Sequence, residues 1–215
     1  MDALIENLPR ILRGFLLTLQ LFGAAGLIAF ALGAVLAGMR VAPVPVLRAV
    51  GTTYVNIFRN TPLVVLFIVF VAGLPFLGVQ ISFFARAVVT LSLYTAAFMC
   101  EAIRSGINSV QQGQAEAARS IGFTFGQTLR SVILPQAIRT AIPPLASIFI
   151  ALVKNSAIAE AFGVIEATQT FHFLYNRHPS ALWPLFVGTA LGYVIIVFVL
   201  AGIASRLEKR LAVIR

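Results

Sequence analysis

The stretch GFLLTLQLFGAAGLIAFALGAVLAGM, from Gly14 to Met39, decides the fold: it is 26 consecutive residues without a charge. A helix rises ~1.5 Å per residue, so about 20 apolar residues cross the ~30 Å hydrocarbon core of a bilayer. Two more uncharged runs of 26 residues, Asn60 to Ala85 and Ser180 to Ser205, meet the same test. The composition of all 215 residues agrees, with 60% hydrophobic and 11% charged, against about 25% charged in soluble domains. Mean hydropathy is +0.97. That excludes a cytosolic enzyme, a disordered tail and a secreted disulfide scaffold. Cys100, the single cysteine, can form neither an internal disulfide nor a thiolate metal site.

Two shorter uncharged runs need extension. Ala87 to Cys100 and Thr140 to Val153 are 14 residues each, only ~21 Å of helix. They reach across if Arg86, Arg139 or Lys154 extends its charged end to the interface. The second run also holds Pro143 and Pro144, which break or kink a helix unless neighbours satisfy the freed carbonyls. Short, interrupted segments belong where protein buries them, so these two are placed nearest a translocation path. The expectation is an all-α polytopic membrane protein with five transmembrane helices, at about 14–39, 60–82, 86–104, 136–155 and 180–205. The first run exceeds the 7–15 residues of a signal-peptide core, so it reads as a retained helix rather than a cleaved leader.

Five spans put the termini on opposite sides, and basic residues choose the side. With the C-terminus inside, Arg40, Arg48, Arg59, Arg104, Arg119, Arg130, Arg139, Arg206, Lys209, Arg210 and Arg215 are cytoplasmic, 11 of 16. Arg10, Arg13, Arg86, Lys154 and Arg177 are then outside. The net charge of +9 thus reads as orientation in a bilayer, not as a nucleic-acid surface. Ala25, Ala29, Gly33 and Ala37 form a small-residue stripe on the first helix, and Gly188 and Gly192 repeat the spacing on the last. Such stripes either pack helices closely or reflect the abundance of Gly and Ala in membrane helices.

No Asp, Glu or His lies within the three long runs, so no proton relay through the core is evident. Glu101 sits near the cytoplasmic end of the third span, and a structural ion pair with Arg59 or Arg104 is expected. No Gly-Lys-Ser/Thr sequence ends a phosphate-binding loop, so any use of ATP falls to another subunit.

The inner segment 105–135 reads as two helices around a turn. Gln114 to Ile121 is rich in strong helix formers, Gly122 is placed as the C′ residue, and Thr124 with Gln127 offers a capping box. The spacing Glu116-Ala117-Ala118, three residues, Gly122, nine residues, Val132, one residue, Leu134-Pro135 resembles the EAA loop of ABC-importer permeases. Val132 stands where that motif has Ile. The resemblance extends through Arg59-Asn60-Thr61-Pro62-Leu63, Glu101-Ala102-Ile103-Arg104-Ser105-Gly106-Ile107 and Leu152-Val153-Lys154-Asn155-Ser156 with Gly163-Val164. These are similar to the polar amino acid branch. Met39 to Val44, Gly113 to Ser120 and Arg210-Leu211-Ala212-Val213 are most similar to glutamate-system permeases of actinobacteria.

The resemblance implies a type I importer fold in the bacterial cytoplasmic membrane, N-terminus outside. It implies a coupling helix in which Glu116, Ala117, Ala118, Gly122, Leu134 and Pro135 meet an ATPase dimer. That dimer would use Mg-ATP; this chain would bind no cofactor or metal and catalyse nothing. The implied partners are a second homologous permease chain or a second copy, and an extracytoplasmic amino acid-binding protein. A zwitterion in a desolvated path needs polar partners. Thr61, Tyr94, Asn155, Ser156 and Glu160 are the candidates, each with a structural hydrogen bond as its alternative. Lys154 or Arg86 could attract an anionic substrate. His172 and His178 lack enough companions for a metal site and read as surface residues. The rival class is a gradient-driven secondary transporter, which leaves the EAA spacing unexplained.

Overall fold

The computed structural model describes residues 2–211. It is helical throughout, with no strand among the described residues. A single turn, Asp2–Glu6, precedes α1 (Leu8–Val41), α2 (Pro45–Asn60), α3 (Leu63–Phe76), α4 (Phe83–Asn108) and α5 (Gln112–Ser120). Then come α6 (Phe125–Phe162), α7 (Ala167–Arg177) and α8 (Leu182–Leu211). Four of these helices are long and apolar enough to cross a membrane, and a fifth crossing exists if the bent pair α2 and α3 counts as one. Ala212, Val213 and Arg215, used above for resemblance and charge, lie outside the described residues.

The helix of the second uncharged run is shorter than the 60–82 expected: α3 begins at Leu63, after a 104° bend from α2. Pro62 is the cause, because a proline pushes the residue before it out of the helical region. Thr61 is accordingly extended, at φ −94° and ψ 126°. α3 then stops at Phe76, six residues before the expected end. Gly78, at φ 78°, takes the left-handed conformation that favours glycine. Its N–H bonds to Pro75 O and that of Val79 to Leu74 O, closing the helix with its carbonyls satisfied.

α6 differs in the other direction. Its backbone stays helical through Pro143 and Pro144, and it includes a five-residue π turn, Leu129–Ile133, near its start. Ser147 Oγ donates to Pro143 O at 3.2 Å.

α4 is the centre of the bundle, wrapped by α1 and α6. The small-residue stripe of α1 is a packing device: Ala25, Ala29 and Ala37 are fully buried. A Cβ on Gly33 would stand 2.7 Å from Met99 Cβ and 3.0 Å from Ala96 O. Gly188 packs on Leu4, and Gly192 on Phe15. α8 touches the bundle along one edge and leaves Leu191, Ile195, Phe198 and Val199 exposed. Only lipid or another membrane chain can cover so apolar a face.

The tightest approach to another helix's backbone is at Gly106, where a Cβ would lie 2.5 Å from Ala137 O and 2.9 Å from Ala141 Cβ. Gly106→Leu should therefore separate α4 from α6, at a cost of about 3 kcal/mol or more. The measurement is the thermal midpoint and elution profile in detergent. Gly38→Ala, where no atom lies within 4 Å, should be neutral or stabilising by up to about 1 kcal/mol. Equal stability of the two variants would contradict this packing.

Candidate functional site

Three clusters carry the polar chemistry. The first is the inner turn between α4 and α6. α5 ends at Gly122, whose φ is +91°. Gly122 N–H bonds to Arg119 O and Phe123 N–H to Ala118 O, which satisfies the last carbonyls. The expected capping box follows: Gln127 N–H donates to Thr124 Oγ1 at 3.3 Å and Thr124 N–H to Gln127 Oε1 at 2.8 Å. Both signals are local, so the sequence carried them. The structure splits the alanine pair, with Ala117 exposed and Ala118 buried against the turn. Glu116 and Gly122 are exposed, Leu134 is half-buried and Pro135 exposed.

Two apolar side chains escaped the sequence reading, Ile121 at 74% and Phe125 at 67% exposure. They flank Gly122 and face outward beside Ala117. Apolar residues within a polar loop were the available signal. Gln136 at the base of α6 donates through Nε2 to Gln114 of α5 and to Val132 O. This side chain links α5 to α6 across the turn.

The second cluster is centred on Glu101. It pairs with Arg104 at 2.9 Å, Arg59 at 3.3 Å and Arg40. The first two were expected; Arg40, from the last turn of α1, was not. All three helices end at the same level, so every arginine there was a candidate. One carboxylate thus ties α1, α2 and α4 together, which is structural work.

The third cluster was not anticipated. Glu166 is fully buried, and its carboxylate accepts from Gln169 N–H at 2.8 Å, Tyr193 Oη at 2.7 Å and Thr18 Oγ1 at 3.3 Å. Ala167 N–H donates to Thr18 Oγ1 at 3.1 Å. The node joins α1, α7 and α8, and burial pushes the Glu166 carboxyl above its ordinary range. Glutamate is not a favoured N-cap residue, so no local signal pointed to the node.

The five candidate path residues are not gathered into one polar cluster. Among the described residues no hydrogen bond joins one to another. Thr61 Oγ1 donates to Ile57 O and Ser156 Oγ to Val153 O. Glu160 pairs with the half-exposed His172. Tyr94 stacks near Phe98, with ring centroids 4.9 Å apart. Asn155 is half-buried and Lys154 exposed at the end of α6. The role suggested for Arg86 is corrected. It is buried and donates to Ile81 O and Val71 O, each at 2.9 Å. Pro75 has no N–H for the carbonyl four residues back, which is Val71, and Arg86 replaces that bond. It is not free to draw in an anion.

A groove of about 520 Å³ opens between α1, α4, α6 and α8, lined by residues such as Phe30, Ile107, Leu145, Phe149 and Leu200. Its walls are apolar, so it offers nothing to the ammonium or carboxylate of an amino acid. Among the described residues no three His, Cys, Asp or Glu converge as metal ligands.

Residues 29–213 match the family described as binding-protein-dependent transport system inner membrane component. The chain is 42% identical to the glutamate transport system permease protein GluC of Corynebacterium glutamicum, over 95% of both chains. It is 40% identical to the probable glutamine ABC transporter permease protein GlnM of Bacillus subtilis, over 98% of this chain and 97% of that one. Among solved structures, one chain of an amino acid ABC transporter with histidines superposes with a TM-score of 0.90 at 30% identity, covering 97% of each. A chain of the inward-facing MetNI methionine transporter shares the fold, with a TM-score of 0.75 at 22% identity and 94% and 96% coverage.

Proposed function

Since the chain belongs to the family of binding-protein-dependent transport system inner membrane components, we propose that it moves a polar amino acid, glutamate or a related acidic or amide one. It is a type I ABC-importer permease and not itself an enzyme; membership in the family implies an ATPase and a substrate-binding protein as partners. The substrate reading rests on the likeness to permeases named for glutamate at 42% and 41% and for glutamine at 40%.

The observation that supports the coupling role best is the inner turn. Glu116, Ala117, Ile121 and Phe125 are exposed around Gly122. Closure of an ATPase dimer against this turn would push α5, and Gln136 would carry the displacement into α6. The N-terminus lies outside and the C-terminus in the cytoplasm. The pathway runs between this chain and a second permease chain, either a homologue or another copy, which covers the open face of α8. Mg-ATP is bound and hydrolysed by the ATPase.

Reconstitution with the ATPase and the binding protein in proteoliposomes tests this reading. Radiolabelled glutamate should accumulate only with ATP inside the compartment the ATPase faces, and accumulation should survive a protonophore. Collapse of uptake with the proton gradient at constant ATP would replace this reading with a secondary transporter. Competition by unlabelled glutamine, aspartate and arginine ranks the substrates.

A further inference from the structure

At the end of the bundle that holds the N-terminus, three arginines gather without an acid. Arg10 and Arg13 lie one turn apart on α1, a spacing that brings side chains within ~6 Å. The Arg10 guanidinium sits 4.4 Å from the centre of the Phe173 ring, and Arg177 approaches the same ring at 4.6 Å. Among the described residues none of the three makes an ion pair. Glu6, four residues before Arg10, is exposed and makes none either. The Glu166 carboxylate is turned away, held by Thr18, Tyr193 and the Gln169 N–H. A groove of about 450 Å³ runs beside the contact of α1 with α7, which carries Phe173 and Arg177, and is lined by Arg10, Arg13, Leu17, Ile165, Gln169 and Phe173. Like charges held this close repel, and an anion between them removes the repulsion.

The level of the groove identifies the anion. Ile11, between the arginines, packs with Ala181 and Leu185, and between those two stands Trp183, 72% exposed. Exposed tryptophan marks the headgroup level of a bilayer. On the membrane side of the arginines, Leu17 of α1 and Ile165 line the same groove, an apolar wall against which an acyl chain can lie. We propose that Arg10 and Arg13, helped by the Gln169 side-chain amide, bind the phosphate of an anionic phospholipid. Phe173 holds Arg10 in place by cation–π contact, and Arg177 adds to the positive potential. The site is independent of which amino acid is carried.

The test uses the full importer complex in vesicles of phosphatidylcholine with a minor share of photoactivatable phosphatidylglycerol. Label should map to the segments 10–17 and 165–173. Arg10→Gln with Arg13→Gln should lower that label roughly 25-fold, about fivefold for each basic residue at a membrane surface. Arg10→Lys with Arg13→Lys should retain most of it and controls for folding. Equal labelling by a phosphatidylcholine probe, or unchanged labelling in the double Gln variant, overturns the proposal. Loss of label on adding inorganic phosphate would make the ligand a free anion, and loss on adding the binding protein would make the arginines a docking surface; either also overturns it.

Discussion

Uptake should fall to background in Glu116→Lys, in membranes that hold as much of the chain as wild type does. Glu116 is exposed on α5 and makes no hydrogen bond or ion pair among the described residues, so the fold does not depend on it. Reversing its charge acts only on what docks there. If a basic group of the ATPase meets Glu116, the substitution sets two like charges face to face, which costs several kcal/mol across an interface. The expected signature is split: basal ATP hydrolysis persists, while stimulation by loaded binding protein and uptake are both lost. Gly122→Leu should reach the same end by another route, because a leucine at φ +91° costs roughly 1–2 kcal/mol of strain and misdirects Ile121 and Phe125. Unchanged uptake in Glu116→Lys would remove this turn from the coupling path.

Glu101→Ala should be the most destabilising single change of a polar residue. It leaves Arg40, Arg59 and Arg104, from three helices, facing one another around an empty space. Removing the shared carboxylate costs about 1–3 kcal/mol, because the guanidinium groups then repel while solvent screens Arg59 and Arg104 in part. The thermal midpoint in detergent should drop sharply, and export of the chain to the membrane should fall with it. Adding Arg40→Leu should recover part of the loss, since it removes the guanidinium that is most enclosed. A double variant no better than the single would mean that the cluster does not act as a unit.

The features legible in the sequence were those set by local rules or by the bilayer. Two of the three uncharged runs of 26 residues, Gly14 to Met39 and Ser180 to Ser205, lie within helices long enough to span. The Gly122 stop and the Thr124 cap depend on a few neighbouring residues, and both formed as expected. Run length misled where it was counted through Pro62 and Gly78, because charge-free is not the same as helical. The Arg86 bond to Val71 O was recoverable, since a proline always orphans the carbonyl four residues back. The Arg40 bond to Glu101 and the Glu166 node were not, because each joins helices far apart in the chain. Of the coupling motif, the sequence could not say that Ala118 turns inward while Ile121 and Phe125 turn out.

The early stop of α3 changes how this chain meets its solvent. Fourteen residues rise only ~21 Å, whereas the 34 residues of α1 rise ~51 Å. One flank of the subunit is therefore about 9 Å too thin for an ordinary hydrocarbon core, and Phe76 and Leu77 are its most exposed apolar tip. Helix ends without a cap leave their last carbonyls to water. This one ends at Gly78 with Leu74 O and Pro75 O already bonded, which lowers the cost of an end near hydrocarbon. Thinning of the bilayer along that edge would relieve the mismatch, so uptake should change with the acyl-chain length of the vesicles.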